Sequence, residues 1–157
     1  MALFATTHIA NDDILLISVH SHAGSKGDLL KDDVMTICKE IKRRNATNVL
    51  IGGDTGPPIT TGLVSECGFH PLEKTNKKKG RRFQPTWRVD CPSHGPPQAK
   101  FSRGDWLLAR GPGFPLAEKD TSLSVFYPYR LLKDNKYDCI SDHAMIALET
   151  NFTGARG

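Results

Sequence analysis

Several residues that can exchange protons stand where predicted strands begin or end. His20 closes one apolar strand and Asp54 closes the next, while Asp105 and the pair Asp142-His143 stand at the starts of two later strands. Carboxylates and imidazoles act as acids, bases and phosphate or metal contacts near neutral pH. Taken singly, a strand-end Asp is usually a turn residue. If the four strand ends meet at one rim of a sheet, however, the sequence predicts acid–base chemistry at that rim.

The first third of the chain predicts the elements that position this rim. Ala2–Ala10 and Asp12–Val19 are typical of two strands, and the second is apolar on both faces, as in a strand covered on both sides. A helix is predicted from Asp28, and the strand Asn48–Ile51 leads directly into Gly52-Gly53-Asp54. Strand, helix and strand in this order indicate a crossover unit, and α/β sheets place their sites at strand ends.

The later elements are less regular, and the chain as a whole suits one domain. The remaining predictions are a helix at Ile59–Cys67 and strands at Phe83–Val89, Trp106–Arg110, Leu123–Leu131 and Ala144–Thr150. The 157 residues include 21 Lys and Arg against 17 Asp and Glu, a net charge of +4, which suits a single globular domain. No apolar run approaches the ~20 residues of a membrane-spanning helix, and no signal peptide is visible.

The redox state of the cysteines and the use of two glycosylation sequons depend on the compartment in which the chain folds. Four cysteines without a Cys-x-x-Cys pair, in a chain with no visible export signal, predict reduced thiols. On the same argument the sequons at Asn45-Ala46-Thr47 and Asn151-Phe152-Thr153 are expected to be chance matches.

Two Cys-x-x-His pairs leave a zinc site open as an alternative. Cys67 with His70 and Cys91 with His94 have ligand types that bind zinc as a Cys₂His₂ set. The plainer interpretation is that Cys67 ends a buried helix and that the following Gly68-Phe69 is a packing turn.

The densest charge run of the chain has two interpretations. A solvated loop explains it without function, whereas contact with a phosphate backbone would use the cations for charge and the nearby aromatic ring for base stacking. Inositide head groups would also suit these cations. The candidate nucleic-acid-binding residues are Lys77, Lys78, Lys79, Arg81, Arg82 and Trp87.

The order of five segments resembles the endonuclease/exonuclease/phosphatase superfamily, which includes pancreatic-type deoxyribonuclease and the abasic-site endonucleases. The segments are Ile17-Ser18-Val19-His20, Val49-Leu50-Ile51-Gly52-Gly53-Asp54, Gln84-Pro85-Thr86-Trp87, Arg103-Gly104-Asp105-Trp106-Leu107 and Ser141-Asp142-His143. The resemblance implies an α+β fold, a four-layered α/β sandwich. Residues 1–157 resemble its C-terminal half, the second layer, with a mixed, mostly antiparallel sheet flanked by one or two helices.

The resemblance implies metal-dependent phosphoester hydrolysis, most simply by a nuclease-type phosphodiesterase. Asp54 would orient or deprotonate the attacking water, and His143 would hydrogen-bond a phosphate oxygen. Asp105 would hold the imidazole of His143, and His20 would contact the phosphate.

The resemblance also implies further ligands and a metal ion. Thr55 and Arg103 are candidate phosphate-binding residues, and Asp142 is the candidate metal ligand. Mg²⁺ is expected because the ligands are carboxylates, with Mn²⁺ as a substitute. The expected partner is nucleic acid or another phosphoester substrate.

Two departures from the family pattern separate the functional hypotheses. Gly56 stands where the family has a phosphate-contacting Asn, and no residue before His20 matches the metal-binding Glu of the family's first half. The first hypothesis is an active enzyme completed by a missing N-terminal half, from a longer gene product or a partner chain. The second is an inactive remnant that binds phosphorylated ligands or nucleic acid, and the third is an unrelated α/β binding module.

Overall fold

The computed structural model describes residues 1–9, 11–20, 28–72, 86, 89–90, 98–99, 104–114, 121–132, 137–141 and 143–150. Its elements are β1 (Ala2–Ile9), β2 (Asp12–His20), α1 (Asp28–Arg43), β3 (Asn48–Asp54), α2 (Gly56–Cys67), β4 (His70–Pro71), β5 (Val89–Asp90), β6 (Gln98–Ala99), β7 (Asp105–Arg110), β8 (Thr121–Phe126), β9 (Tyr129–Leu131), β10 (Tyr137–Cys139) and β11 (Met145–Thr150). No helix within these ranges is long and apolar enough to cross a membrane.

A five-stranded mixed sheet is the centre of the described structure. Its strand order is β1-β2-β3-β7-β4, and within it only β2 and β3 run parallel. The crossover from β2 to β3 passes through α1, as the predicted strand–helix–strand unit requires. The prediction of a mixed, mostly antiparallel sheet with two helices is confirmed.

The two helices cover one face of this sheet. Alternate residues of β2, such as Leu15 and Ile17, are buried in one core cluster together with Ile41 of α1 and Leu63 of α2. Ile14, which precedes Leu15, belongs to a second cluster on the opposite face, and Leu16 packs against that cluster. Since successive side chains of a strand point to opposite faces, β2 packs on both sides, as its sequence predicts.

One predicted strand is divided in two. The sequence predicts a single strand over Leu123–Leu131, but the structure has β8 and β9 there, each with a different partner. β8 pairs with β11 and β9 with β10. Pro128 lies at the break, where it has no backbone N–H to donate to a strand ladder.

The prediction of reduced thiols is wrong for the described cysteines. Cys38 of α1 and Cys67 of α2 form a disulfide, with their Cα atoms 5.8 Å apart. Both side chains are buried in the helix-side core, and Cys139 is disulfide-bonded as well. The proposed zinc site therefore loses Cys67 as a thiolate ligand, while Cys91 and His94 lie outside the described residues.

Candidate active site

Three of the predicted site residues form a row across neighbouring strands. In the sheet register His20 of β2 is the partner of Asp54 in β3, and Asp54 is the partner of Asp105 in β7. The alternation of the strands puts all three on the face opposite the helices, because Val19 and Trp106, their sequence neighbours, belong to the helix-side core. The parallel crossover and the antiparallel return of β7 thus bring residues far apart in sequence to one rim.

His143 joins this row through a hydrogen bond to Asp105. Its Nδ1 lies 3.0 Å from Oδ2 and 3.3 Å from Oδ1 of the Asp105 carboxylate. An N–H at Nδ1 donates to the carboxylate, which fixes the orientation of the ring. The His143 side chain is 30% exposed and that of Asp105 is 14% exposed. The pair is therefore held by the protein on one side and open to solvent on the other.

Thr86 links the two members of this pair through the backbone. Its hydroxyl oxygen accepts hydrogen bonds from the N–H groups of Gly104, at 3.2 Å, and Asp105, at 3.1 Å. Its carbonyl oxygen accepts one from the N–H of Ala144, at 2.8 Å. The side chain of Thr86 is completely buried. Thr86 belongs to the Gln84-Pro85-Thr86-Trp87 segment of the family resemblance, but nothing in the sequence predicted that its hydroxyl would hold the backbone of Asp105.

Gly53, the residue before Asp54, allows β3 to lie close to β2. Its φ is +128°, and a Cβ atom at this position would collide with the carbonyl oxygen of Val19. Only glycine adopts this backbone conformation without strain while a neighbouring strand lies so close. The glycine before Asp54 is thus explained by packing between β2 and β3.

The loop after Asp54 is directed into the protein. The hydroxyl of Thr55 lies 2.7 Å from that of Thr60 in the interior, and Thr55 is 1% exposed. Gly56 has a φ of +59°, and its N–H donates to the carbonyl of Gly104 at 3.1 Å. Thr55, a candidate phosphate ligand, is therefore not brought to the open rim with His20 and Asp54.

The other predicted site residues lie outside the described residues. They are Arg103, Asp142, Lys77, Lys78, Lys79, Arg81, Arg82 and Trp87. Within the described ranges no group of three or more His, Cys, Asp or Glu side chains is placed to hold a metal ion. The part of the site that the structure describes does not by itself form a metal centre.

Comparison with solved structures defines the fold. The chain matches no protein-family model and no curated protein. TDP2 of D. rerio, crystallised with a single-strand DNA product, is similar over 95% of this chain and 60% of its own, with a TM-score of 0.60 and 14% identity. An endonuclease/exonuclease/phosphatase family protein from Bacteroides thetaiotaomicron matches over 96% and 56%, with a TM-score of 0.63 and 14% identity.

A third similar structure is the mannosyl-6-phosphatase of Bacteroides thetaiotaomicron. It matches over 91% of this chain and 53% of its own, with a TM-score of 0.62 and 13% identity. The chain thus has the endonuclease/exonuclease/phosphatase fold, as the sequence resemblance implies. It spans between 53 and 60% of the length of these three proteins.

Proposed function

We propose that this chain carries the general base and the phosphate-contacting residues of a metal-dependent phosphoester hydrolase. The observation that carries the proposal is the row of His20, Asp54 and Asp105, with His143 bonded to Asp105, at one open rim of the sheet. The fold supports it, since the solved structures that share this fold include a phosphatase and a protein crystallised with a DNA product.

In the proposed reaction a water molecule attacks phosphorus, and the leaving oxygen departs with the bonding electron pair and takes up a proton from solvent. The Asp54 carboxylate orients this water and accepts its proton. The protonated ring of His143 donates from Nδ1 to Asp105 and from Nε2 to a phosphate oxygen, where negative charge builds in the transition state. His20, which lies on the adjacent strand β2, contacts another oxygen of the phosphate.

A divalent cation belongs to the proposal because of the charge at the rim. Asp54 and Asp105 are register partners, and like charges opposite each other repel. The protonated His143 ring offsets the charge of Asp105, and a divalent cation would offset that of Asp54. Mg²⁺ suits carboxylate ligands, with Mn²⁺ as a substitute and Asp142 as the expected ligand. We propose nucleic acid as the substrate, contacted by the basic segment 77–82 and Trp87.

A first sheet layer, from a preceding segment or a partner chain, completes the proposed enzyme. Leu16 and Leu50 lie on the sheet face opposite the helices and are only half-buried, and Leu3 of β1 is 63% exposed. We propose that the second sheet of the sandwich covers this face. Residues 1–157 together with that layer are called the complete two-layer protein below.

The isolated 157-residue chain is expected to oligomerise, aggregate or remain partly molten, without Mg²⁺-dependent turnover. Exposed apolar patches of several hundred Å² are uncommon on soluble monomers. On this face Ile14 is already buried, but Leu16 and Leu50 are half-buried and Leu3 is exposed, and uncovered apolar side chains of this kind favour association. Sedimentation, dye binding and a phosphodiesterase assay test this together. A monodisperse, cooperatively melting monomer that cleaves substrate contradicts the two-layer proposal.

Replacing the hydroxyl of Thr86 is expected to destabilise the site without touching any reacting group. Thr86→Val leaves the buried N–H of Gly104 and that of Asp105 without this acceptor, which costs ~1–3 kcal/mol in the free energy of unfolding. Thr86→Ser keeps the acceptor and is the matched control. Urea-induced unfolding of the complete two-layer protein measures both. Equal stability of the Val and Ser variants contradicts the linking role of this hydroxyl.

The second candidate function is binding without turnover, and Gly56 favours it. This residue has no side chain with which to donate to a phosphate, at the position where the family resemblance predicts an Asn. In that case the same row binds phosphorylated ligands or nucleic acid but does not cleave them.

Gly56→Asn separates the two functions. Asn is among the side chains that best tolerate the left-handed φ observed here, and its amide is the donor that the family resemblance predicts at this position. We expect it to raise the rate of phosphodiester cleavage by the complete two-layer protein, whereas Gly56→Ala, which adds a side chain without an amide, does not. An unchanged rate for Gly56→Asn shows that the lost amide is not what limits turnover. Binding without cleavage in both variants supports the remnant.

A further inference from the structure

The turn that follows α1 carries an exposed sequon. Asn45-Ala46-Thr47 has the acceptor pattern for N-linked glycans, and both Asn45 and Thr47 are exposed. We propose that Asn45 is an N-glycosylation site and that the chain matures in an oxidising, secretory compartment. This inference is independent of the phosphoester chemistry proposed for the rim.

The backbone of this turn presents the Asn45 side chain to solvent. The N–H of Asn45 donates to the carbonyl of Lys42 at 3.0 Å, and that of Ala46 donates to Ile41 at 3.2 Å, which closes the end of the helix. Asn45 itself has a φ of +50°, in the left-handed region that Asn tolerates. A glycan is bulky and strongly hydrated, so its asparagine must lie on the surface of the folded chain.

The space beside Asn45 can receive the first sugar. A cleft of about 280 Å³ opens next to it, lined by polar side chains that include Thr6, Asp12, Arg44 and Thr47. Hydroxyl and charged groups of this kind hydrogen-bond well to sugar hydroxyls.

The disulfide between Cys38 and Cys67 supplies an independent argument for the compartment. Disulfides form and persist in oxidising environments and are rare among cytosolic proteins. The sequence alone predicted both reduced thiols and chance sequons from the absence of a visible export signal, and the structure contradicts the first of these two predictions. The buried disulfide indicates an oxidising compartment, and in that compartment the exposed sequon is an acceptor for a glycan.

The glycan would not obstruct the candidate active site. Asn45 precedes β3, whereas Asp54 ends that strand, and six residue steps of ~3.3 Å separate the two ends of β3 by about 20 Å. The modification therefore marks the opposite end of the sheet from the catalytic row.

The test is translation of the full chain behind a cleavable signal peptide, in the presence of endoplasmic-reticulum microsomes. All forms carry Asn151→Gln to remove the second sequon. We expect one endoglycosidase-sensitive mobility shift, which Asn45→Gln and Thr47→Ala abolish and the matched control Thr47→Ser retains. Protease protection of the chain verifies that it entered the microsomes.

Two outcomes overturn the proposal. The first is a protected, translocated chain that shows no shift, or a shift that survives Asn45→Gln. The second is peptide mass spectrometry of the protein from cells that make it naturally, showing Asn45 unmodified or Cys38 and Cys67 as alkylatable thiols. A glycosylated Asn45 peptide together with the Cys38–Cys67 cross-link supports both parts of the proposal.

Discussion

Replacing Asp54 with asparagine lowers the rate of phosphodiester cleavage by at least ~10²-fold, the scale of general-base catalysis. The substitution keeps the size of the side chain and its place as the partner of His20 and Asp105 in the sheet. It removes only the charge and the ability to accept a proton from water. The effect is therefore expected in kcat of the complete two-layer protein, with substrate binding nearly unchanged.

Asp32→Asn is the matched control for this experiment. Asp32 is an exposed carboxylate of α1, on the layer that covers the other face of the sheet. Steady-state kinetics of the two variants and the unaltered protein separate loss of the base from loss of negative charge in general. If Asp54→Asn retains most of the activity, Asp54 is not the base and the proposed mechanism is wrong.

Truncating His143 to alanine is expected to cost at least ~10²-fold as well, the scale found for a single donor to a developing negative charge. The ring is held by the 3.0 Å contact with Asp105, so its Nε2 is positioned before substrate arrives. Alanine removes the donor, whereas Asp105→Asn leaves the ring but replaces the carboxylate that orients it. We therefore expect Asp105→Asn to lower the rate as well, by less than His143→Ala.

His8→Ala is the control for the removal of an imidazole. His8 contacts Asp13 at 2.9 Å in the same type of His–Asp pair, but both side chains are largely exposed and lie at the far end of β1 and β2. Its loss is expected to leave the rate unchanged. Comparable losses from His8→Ala and His143→Ala contradict a specific role for His143.

Much of the fold was predictable because it depends on local patterns. The apolar run of β2, the amphipathic spacing of α1 and the glycines before Asp54 each report the environment of their own segment. In the structure these segments form β2, α1 and β3, as the sequence predicted. The break at Pro128 was missed because the periodicity of one strand was continued across a residue that cannot donate to a ladder.

Predicting the row of candidate site residues required both the residue types and the tertiary structure. The residue types at the strand ends and the family resemblance predicted that His20, Asp54, Asp105, Asp142 and His143 converge at one rim. The structure brings His20, Asp54, Asp105 and His143 together, and Asp142 lies outside the described residues. Whether they share a face depends on strand order and register. A shift of one residue would turn a side chain to the helix-covered side.

The sequence by itself determined which residues can do chemistry, the local elements that carry them and the resemblance to a family of phosphoesterases. Only the tertiary structure decided that Thr55 turns its hydroxyl inward to Thr60 and that Thr86 ties Asp105 to the segment of His143. It also decided that Cys38 and Cys67 are bonded rather than free. The physical reason is that hydrogen-bond and disulfide partners distant in sequence are selected by the packing of helices and strands, which no local pattern encodes.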